Sequence, residues 1–139
     1  MKFTRKANAQ WQGSGKEGTG TLTTQSTVLN ETQYSFKTRF ADGVGTNPEE
    51  LIGAAHAGCF TMQLSFLIGE AGFTPTNLHT DAKVTFEDGN ITNVHLELKG
   101  KVDGMGNDKF QEVAQKAKEK CPISKLLKTD ITLSAALAD

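Results

Sequence analysis

The sequence has no excess of either charge and no long uninterrupted hydrophobic run. Its 139 residues include 15 Lys and Arg against 16 Asp and Glu, a net charge of −1. Proteins that bind nucleic acid through phosphate contacts carry a basic excess or patch, so nucleic acid is a poor candidate partner. No stretch reaches the roughly 18 uninterrupted apolar residues of a membrane span, and residues 1–20 lack an apolar run of signal-peptide length. These absences predict a cytoplasmic protein with no membrane partner.

Cysteine is also scarce, with only Cys59 and Cys121 in the chain. In a reducing cytosol, two cysteines so far apart in sequence are more often reactive or incidental than a permanent disulfide. A chain of 15.0 kDa buries about two-thirds of the surface that its unfolded form exposes, so it needs neither a disulfide nor a metal merely to fold. We therefore expect residues 1–139 to form a single domain.

Six segments have the composition or the period-two alternation of β-strands. In the third, aromatic side chains alternate with polar ones, which predicts a strand with Arg39 on the face opposite to the aromatic residues. The sequence Asp88-Gly89-Asn90, between the fourth and fifth segments, is typical of a hairpin turn. The six predicted strands cover residues 3–11, 19–24, 34–40, 78–86, 91–102 and 131–137.

Three helices are predicted between these strands. The segment Asn47-Pro48-Glu49-Glu50 is a strong helix start, because Asn suits the N-cap, Pro the first helical position and Glu the positive end of the helix dipole. The helix that follows, over residues 51–67, is apolar on nearly every face and is therefore expected to be buried. An amphipathic helix covers residues 108–120 and stops before Pro122, where a short helix begins. The order of elements and the long antiparallel hairpins predict an α+β fold.

Two weaker patterns have simpler structural explanations. Residues 13–18 fit G-x-G-x-x-G, but the dinucleotide fingerprint requires a helix directly after it, and a strand-like segment follows here. We interpret these glycines as a hairpin turn. His56 and Cys59 are three apart on one helix and could form half of a zinc site with Cys121, but no recognisable spacing supplies a fourth ligand. We therefore expect His56 to be a buried, hydrogen-bonded residue and the chain to hold no metal.

The surroundings of the two cysteines are typical of a redox pair. Cys59 lies among small residues in the most apolar helix, and its simplest interpretation is a small core hydrophobe. Cys121 is expected at the N-cap of the helix that begins at Pro122, where unpaired backbone N–H groups favour a thiolate. A buried thiol together with a thiol at a helix start suits a peroxidatic and a resolving cysteine.

Four segments, residues 38–40, 45–60, 69–73 and 117–124, together resemble the OsmC/Ohr family of hydroperoxide reductases. The resemblance spans essentially the whole chain. The Asn-Pro-Glu-Glu segment with its downstream cysteine and the Cys-Pro-x-Ser segment are together highly specific. Arg39 stands where the OsmC branch carries its arginine, whereas Ohr proteins take theirs from near the N-terminus, so the resemblance favours the OsmC branch.

This resemblance implies an OsmC-like fold, in which antiparallel sheets pack around a long buried central helix in an intertwined homodimer. It implies a thiol peroxidase, without a metal or flavin cofactor, that reduces organic hydroperoxides to alcohols. By motif position, Cys59 is the attacking thiol, Cys121 the resolving thiol, Arg39 the partner of the thiolate and Glu49 the group that holds the arginine. The implied partners are an organic hydroperoxide, a dithiol reductant such as a lipoyl-bearing protein, and a second copy of the chain.

The chemistry of these residues agrees with the implied roles. Peroxide reduction needs a thiolate to attack the distal oxygen and a cation to stabilise both the thiolate and the leaving alkoxide. A sulfenic acid at Cys59 could then condense with Cys121 to a disulfide. If the helix is unbroken from Pro48, Glu49 and Cys59 are about 15 Å apart along its axis. We therefore expect Arg39 and Glu49 of one subunit to face the cysteines of the other.

Two alternatives remain open from the residues alone. One is a non-catalytic module that binds a small apolar ligand and in which the cysteines only pack. The other is a metal-binding module. A count of free thiols after one equivalent of cumene hydroperoxide separates the first from the enzyme, and the metal content of the purified protein tests the second.

Overall fold

The computed structural model describes residues 1–139, which form two compact units, Met1–Leu51 and Ile52–Asp139. One long helix begins in the first unit and continues into the second. In chain order the elements are β1 (Ala7–Gln12), β2 (Thr19–Thr24), β3 (Thr32–Tyr34), α1 (Phe36–Phe40), α2 (Pro48–Glu70), β4 (Pro75–Glu87), β5 (Asn90–Val102), α3 (Asn107–Lys120), α4 (Pro122–Leu126) and β6 (Asp130–Leu137).

The first unit contains a small antiparallel sheet with almost no apolar core. Its strands lie in the order β1-β2-β3, and Trp11 pairs with Gly20. A side chain at Gly20 would collide with the rings of Trp11 and Tyr34, whose centroids are 5.4 Å apart. The buried residues of this unit are Gly20, Thr38 and Thr46, and every large apolar side chain in it is exposed or half-buried.

Both hairpin turns predicted from the sequence are present. Residues 13–18 join β1 to β2, with the Gly18 N–H donating to the Ser14 carbonyl at 2.8 Å. Asp88 and Gly89 join β4 to β5 and have positive φ values of 49° and 81°. Two positive φ values in a two-residue loop are those of a type I′ turn, whose twist matches that of the flanking strands.

The predicted strand over residues 34–40 is wrong, because this segment is divided between a strand and a helix. β3 ends at Tyr34 and α1 begins at Phe36. Between them, the Ser35 side chain accepts from the Thr38 N–H and the Thr38 hydroxyl accepts from the Ser35 N–H, which makes a capping box. Phe36 and Phe40 are four apart and also meet on a helix, with ring centroids 4.9 Å apart.

The sheet of the second unit has the strand order β4-β5-β6. β4 and β5 are antiparallel, whereas β6 runs parallel to β5, with Leu133 opposite Leu96. The sequence predicts antiparallel sheets, and this parallel pair is an exception. It is possible because α3 and α4, which lie between β5 and β6, form the long crossover that parallel strands require. The α+β class is confirmed. Alternate residues of β5 enter the core, which includes Val94, Leu96, Leu98 and Val102.

The long helix α2 starts as predicted but is buried on one side only. Asn47 Oδ1 accepts from the Glu50 N–H at 2.8 Å, and Pro48 is the first helical residue. Met62 and Phe66 are each 64% exposed, so the expected all-round burial is wrong for the single chain. By length and composition α2 could also span a membrane, but core helices share this property. The buried residues of α2 are Gly53, His56, Phe60, Leu64, Leu67 and Ile68.

The helices α3 and α4 follow each other directly, as the sequence predicts. α3 buries Phe110 against the sheet so closely that a side chain at Gly100 of β5 would lie 2.7 Å from its ring. α3 ends at Cys121, and α4 starts with Pro122 at its first position. Cys121 is therefore both the C-cap of one helix and the N-cap of the next.

Candidate active site

The two cysteines meet within the second unit. Cys121 Sγ lies 2.9 Å from Cys59 Sγ, and both thiols are free. A disulfide has its sulfur atoms about 2.05 Å apart, so this pair is a reduced dithiol in contact. Cys121 is fully buried, whereas Cys59 is only partly buried. Of the two sulfur atoms, that of Cys59 is therefore the more accessible to a reagent from solvent.

The backbone on both sides of Cys121 fixes the position of its thiol. The Cys121 N–H donates to the Ala117 carbonyl of α3 at 2.9 Å, and the Cys121 carbonyl accepts from the Lys125 N–H of α4 at 3.1 Å. Pro122 prevents α3 from continuing, because the residue before a proline avoids the α region. The helix junction thus presents Cys121 to Cys59 without the help of a long loop.

The start of α4 lies next to both cysteines. Cys121 is the N-cap residue, as predicted, but its side chain makes no capping hydrogen bond. The Ile123 backbone N–H favours the charged form of the Cys59 sulfur and lowers the pKa of that thiol. The Cys121 side chain lies instead against the Cys59 sulfur, 2.9 Å away.

Burial raises the pKa of the Cys59 thiol from its ordinary value of 9.0. The hydrogen bond shared with Cys121 and the electrostatic interaction with that neighbouring sulfur raise the pKa of Cys59 further, and only the Ile123 backbone N–H lowers it. The balance favours the neutral thiol at neutral pH. A reaction that needs a Cys59 thiolate therefore requires a cation close to this sulfur.

His56 joins the same two helices one turn away from the cysteines. Its side chain is fully buried, and its Nε2 lies 2.8 Å from Ser124 Oγ of α4. Burial lowers the pKa of His56 from 6.5, so the imidazole is neutral at neutral pH. Its Nδ1 is buried and has no hydrogen-bond partner. The prediction that His56 is a buried, hydrogen-bonded helix residue is confirmed.

Arg39 and Glu49 form an ion pair within the first unit. Arg39 Nε and Nη2 both lie 2.9 Å from Glu49 Oε1, so two arms of the guanidinium hold one carboxylate oxygen. The Arg39 side chain is 40% exposed and that of Glu49 is 14% exposed. Glu49 Oε2 is buried without a hydrogen-bond partner. The guanidinium also lies over the Phe40 ring, 5.1 Å from its centroid.

The loop between α1 and α2 is tied at both ends, which places the ion pair. The Asn47 side-chain amide donates to the Thr38 carbonyl at 3.0 Å while its oxygen caps α2. Thr46 Oγ1 donates to Glu50 Oε2 at 2.7 Å. Asn47 therefore connects the helix that carries Arg39 to the helix that carries Glu49.

Two contributors to this site, Ser124 and the Ile123 N–H, are not predicted from the sequence. The available signal was spacing, since Ser124 follows Cys121 by three residues just as His56 precedes Cys59 by three. No group of three His, Cys, Asp or Glu side chains that could hold a metal ion occurs in residues 1–139. What the arrangement offers chemically is a dithiol that can be oxidised, with its sulfur atoms already in contact.

Comparison with known proteins finds one matching protein family and several bacterial relatives of this chain. A protein-family profile described as OsmC-like protein matches residues 41–135. The chain is 48% identical to "Peroxiredoxin OsmC" of Escherichia coli (strain K12) over 141 residues, which cover 99% of both proteins. It is 30% identical over 102 residues, 70% of both proteins, to "Organic hydroperoxide resistance protein" of Xanthomonas axonopodis pv. citri (strain 306).

Solved structures agree with this similarity at the level of the fold. The organic hydroperoxide resistance protein OhrB of Bacillus subtilis has a TM-score of 0.68 and 25% identity, with 98% of both chains covered. An OsmC-like protein from Mycoplasma pneumoniae has a TM-score of 0.79 with all of both chains covered, although only 11% of residues are identical. At that identity the likeness concerns the fold alone.

Proposed function

The chain belongs to the OsmC-like protein family, and we propose that it is a thiol-dependent peroxidase that reduces organic hydroperoxides to alcohols. The observation that carries the proposal is the contact of 2.9 Å between the sulfur atoms of Cys59 and Cys121. The names of the relatives in Escherichia coli and Xanthomonas support a peroxidase and an organic hydroperoxide substrate. The reaction uses the protein's own thiols and no bound cofactor.

Cys59 is the attacking residue in this proposal. Its thiolate attacks the distal oxygen of ROOH, the O–O bond breaks, and RO⁻ leaves and takes a proton to become the alcohol ROH. The sulfur of Cys59 is thereby oxidised to a sulfenic acid. Partial exposure of Cys59, against full burial of Cys121, supports Cys59 as the sulfur that meets the peroxide.

Cys121 is the resolving residue. Its thiolate attacks the Cys59 sulfur of the sulfenic acid, the S–O bond breaks, and hydroxide leaves and is protonated to water. The product is a disulfide between Cys59 and Cys121. An external dithiol then supplies two electrons and two protons, which restores both thiols. We propose a small dithiol, or a lipoyl group carried on another protein, as this reductant.

Arg39 is the cation that the raised pKa of Cys59 requires, and Glu49 orients it. A guanidinium stabilises both the attacking thiolate and the leaving alkoxide. The two hydrogen bonds to Glu49 Oε1 fix the plane of the guanidinium, which supports a positioning role for the carboxylate. The 40% exposure of Arg39 leaves its side chain accessible to a partner surface.

The working form in this proposal is a homodimer. Monomeric soluble proteins rarely expose large contiguous apolar surfaces, whereas the first unit has almost no buried apolar side chain and α2 exposes Met62 and Phe66. A second copy of the chain would cover such surfaces. We further propose that the protein acts in the cytoplasm, and that its two units work together as one OsmC-like domain.

The cysteine roles are tested with Cys59→Ser and Cys121→Ser. Because Cys59 is the residue that meets the peroxide, Cys59→Ser should lower the turnover rate with cumene hydroperoxide by at least about 10³-fold, as expected when an enzyme loses its nucleophile. Cys121→Ser should reduce one equivalent of peroxide and then stop at the Cys59 sulfenic acid, which a second equivalent of peroxide should oxidise to sulfinic acid. Rapid-quench kinetics and peptide mass spectrometry check both results. Equal and partial losses in the two variants would contradict the assignment of roles.

A further inference from the structure

We propose that His56 and Ser124 are positioning residues whose hydrogen bond keeps α4 where Cys121 can resolve the sulfenic acid at Cys59. This inference rests on the proposed peroxidase function. It assigns the pair to the second chemical step, disulfide formation, and not to the attack on peroxide.

The geometry is a two-point connection between α2 and α4. His56 precedes Cys59 by three residues on α2, and Ser124 follows Cys121 by three residues on α4. Residues three apart are neighbours on a helix surface. The contact between the cysteines, at 2.9 Å, and that between His56 Nε2 and Ser124 Oγ, at 2.8 Å, therefore lie side by side. Only the second contact is unaffected by the oxidation state of the sulfur atoms.

The helix α4 needs such a connection because it is very short. Its five residues are too few to form a stable helix on their own. Ile123 and Leu127 pack against the core, but apolar contacts have little directional preference. A hydrogen bond to a fully buried imidazole does have a preferred direction, so it fixes the rotation of α4 and with it the position of Cys121.

The histidine is a costly residue to place here for packing alone. Its side chain is fully buried and its Nδ1 has no hydrogen-bond partner. An unsatisfied buried polar atom destabilises the folded state, and an apolar side chain of similar size would avoid that cost. In either tautomer of the neutral imidazole, Nε2 can share a hydrogen bond with Ser124 Oγ and Nδ1 is left without a partner.

Oxidation of Cys59 is the moment when this connection matters. A sulfenic oxygen on Cys59 has to be accommodated next to a Cys121 sulfur that lies only 2.9 Å away in the reduced protein. With α4 held at Ser124, Cys121 stays beside the sulfenic acid and attacks it. Without the hydrogen bond, Cys121 spends more time away from the sulfenic acid of Cys59. A second peroxide molecule then has time to oxidise Cys59 to sulfinic acid.

The test uses Ser124→Ala, with Ser124→Thr as the matched control that keeps the hydroxyl. Reduced protein is mixed with one equivalent of cumene hydroperoxide, and sulfenic acid and disulfide are followed separately by rapid quench and mass spectrometry. In Ser124→Ala, disulfide formation should slow by roughly fivefold, the factor for one lost neutral hydrogen bond, while sulfenic acid formation stays within about twofold. Excess peroxide should give more sulfinic acid at Cys59. Ser124→Thr should match the wild type.

A double variant separates positioning from stability. His56→Leu combined with Ser124→Ala removes both polar groups, and such a replacement can be nearly neutral for folding. We expect it to unfold in urea close to the wild-type midpoint and yet to form the disulfide as slowly as Ser124→Ala. Wild-type disulfide formation and wild-type sulfinic acid yield in both variants would overturn the positioning role alone. A wild-type protein that consumes no cumene hydroperoxide and forms neither sulfenic acid nor disulfide would instead overturn the proposed peroxidase.

Discussion

At the scale of single residues, the environment of Cys59 opposes the reactivity that the proposed reaction needs. Burial and the neighbouring Cys121 raise the pKa of Cys59, and the Ile123 N–H offsets this only in part. Because the pKa of this thiol is raised above its ordinary value of 9.0, the neutral thiol is the main form at neutral pH unless a positive charge is brought close to the sulfur. In our proposal Arg39 supplies that charge, so the activity depends on a cation whose own position depends on Glu49.

Replacement of Arg39 tests this dependence. Arg39→Ala should lower kcat/KM for cumene hydroperoxide at pH 7 by about 10²–10³-fold. In Arg39→Ala the pKa of Cys59 stays above 9.0. The loss of kcat/KM should therefore become smaller as the pH rises and the Cys59 thiol ionises. Arg39→Lys should be nearly as damaging, since one ammonium cannot reproduce the two hydrogen bonds from Nε and Nη2 to Glu49. Thiolate absorbance against pH and steady-state rates check both variants.

A matched control comes from the same short helix. Lys37→Ala removes one positive charge from α1 without touching the ion pair, so its kcat/KM and its Cys59 titration should stay at wild-type values. Near-normal activity of Arg39→Lys would show that charge alone matters. Near-normal activity of Arg39→Ala at pH 7 would contradict the role of Arg39 altogether.

At the scale of elements, the helices with strong local end signals were predictable and the others were not. Asn47 and Pro48 mark the start of α2, and Pro122 separates α3 from α4, because capping and proline geometry act within a few residues. The segment with Phe36 and Phe40 was misassigned, since seven residues satisfy a period of two and a spacing of four equally well. The capping box of Ser35 and Thr38 then decides for the helix.

Contacts between distant elements were beyond the sequence. The sequence of residues 131–137 does not indicate that β6 pairs with β5 in parallel, because the direction of the strand depends on the path that α3 and α4 take. His56 and Ser124 are 68 residues apart, and their equal distance from the cysteines gains meaning only when the two helices meet. By contrast, Cys59, Cys121, Arg39 and Glu49 could be proposed as site residues from the sequence, because they lie within recognisable motifs, and the structure brings them together as two separate pairs.

At the scale of the whole molecule, we propose that the site is built from two chains. Glu49 and Cys59 lie ten residues apart on the unbroken helix α2, which is about 15 Å along its axis. The first unit also exposes apolar side chains that a stable monomer would bury. We therefore propose that Arg39 and Glu49 of one subunit complete the site that holds the cysteines of its partner.

Complementation between inactive subunits tests this arrangement. Mixing Arg39→Ala with Cys59→Ser subunits should restore one working site per heterodimer, because each chain supplies what the other lacks. The matched control mixes Cys59→Ser with Cys121→Ser and should restore no sustained turnover, since the two cysteines meet within one chain. No recovery in verified Arg39→Ala and Cys59→Ser heterodimers would mean that each chain carries its own complete site.

The most direct test of the central claim, that Cys59 and Cys121 together reduce an organic hydroperoxide, is a thiol count on the reduced wild-type protein. After one equivalent of cumene hydroperoxide, we predict the loss of both thiols from each chain, the release of one equivalent of alcohol, and a Cys59–Cys121 disulfide within single chains in the peptide map. Retention of both thiols with unreacted hydroperoxide would contradict the account and would favour a non-catalytic module in which the two cysteines only pack.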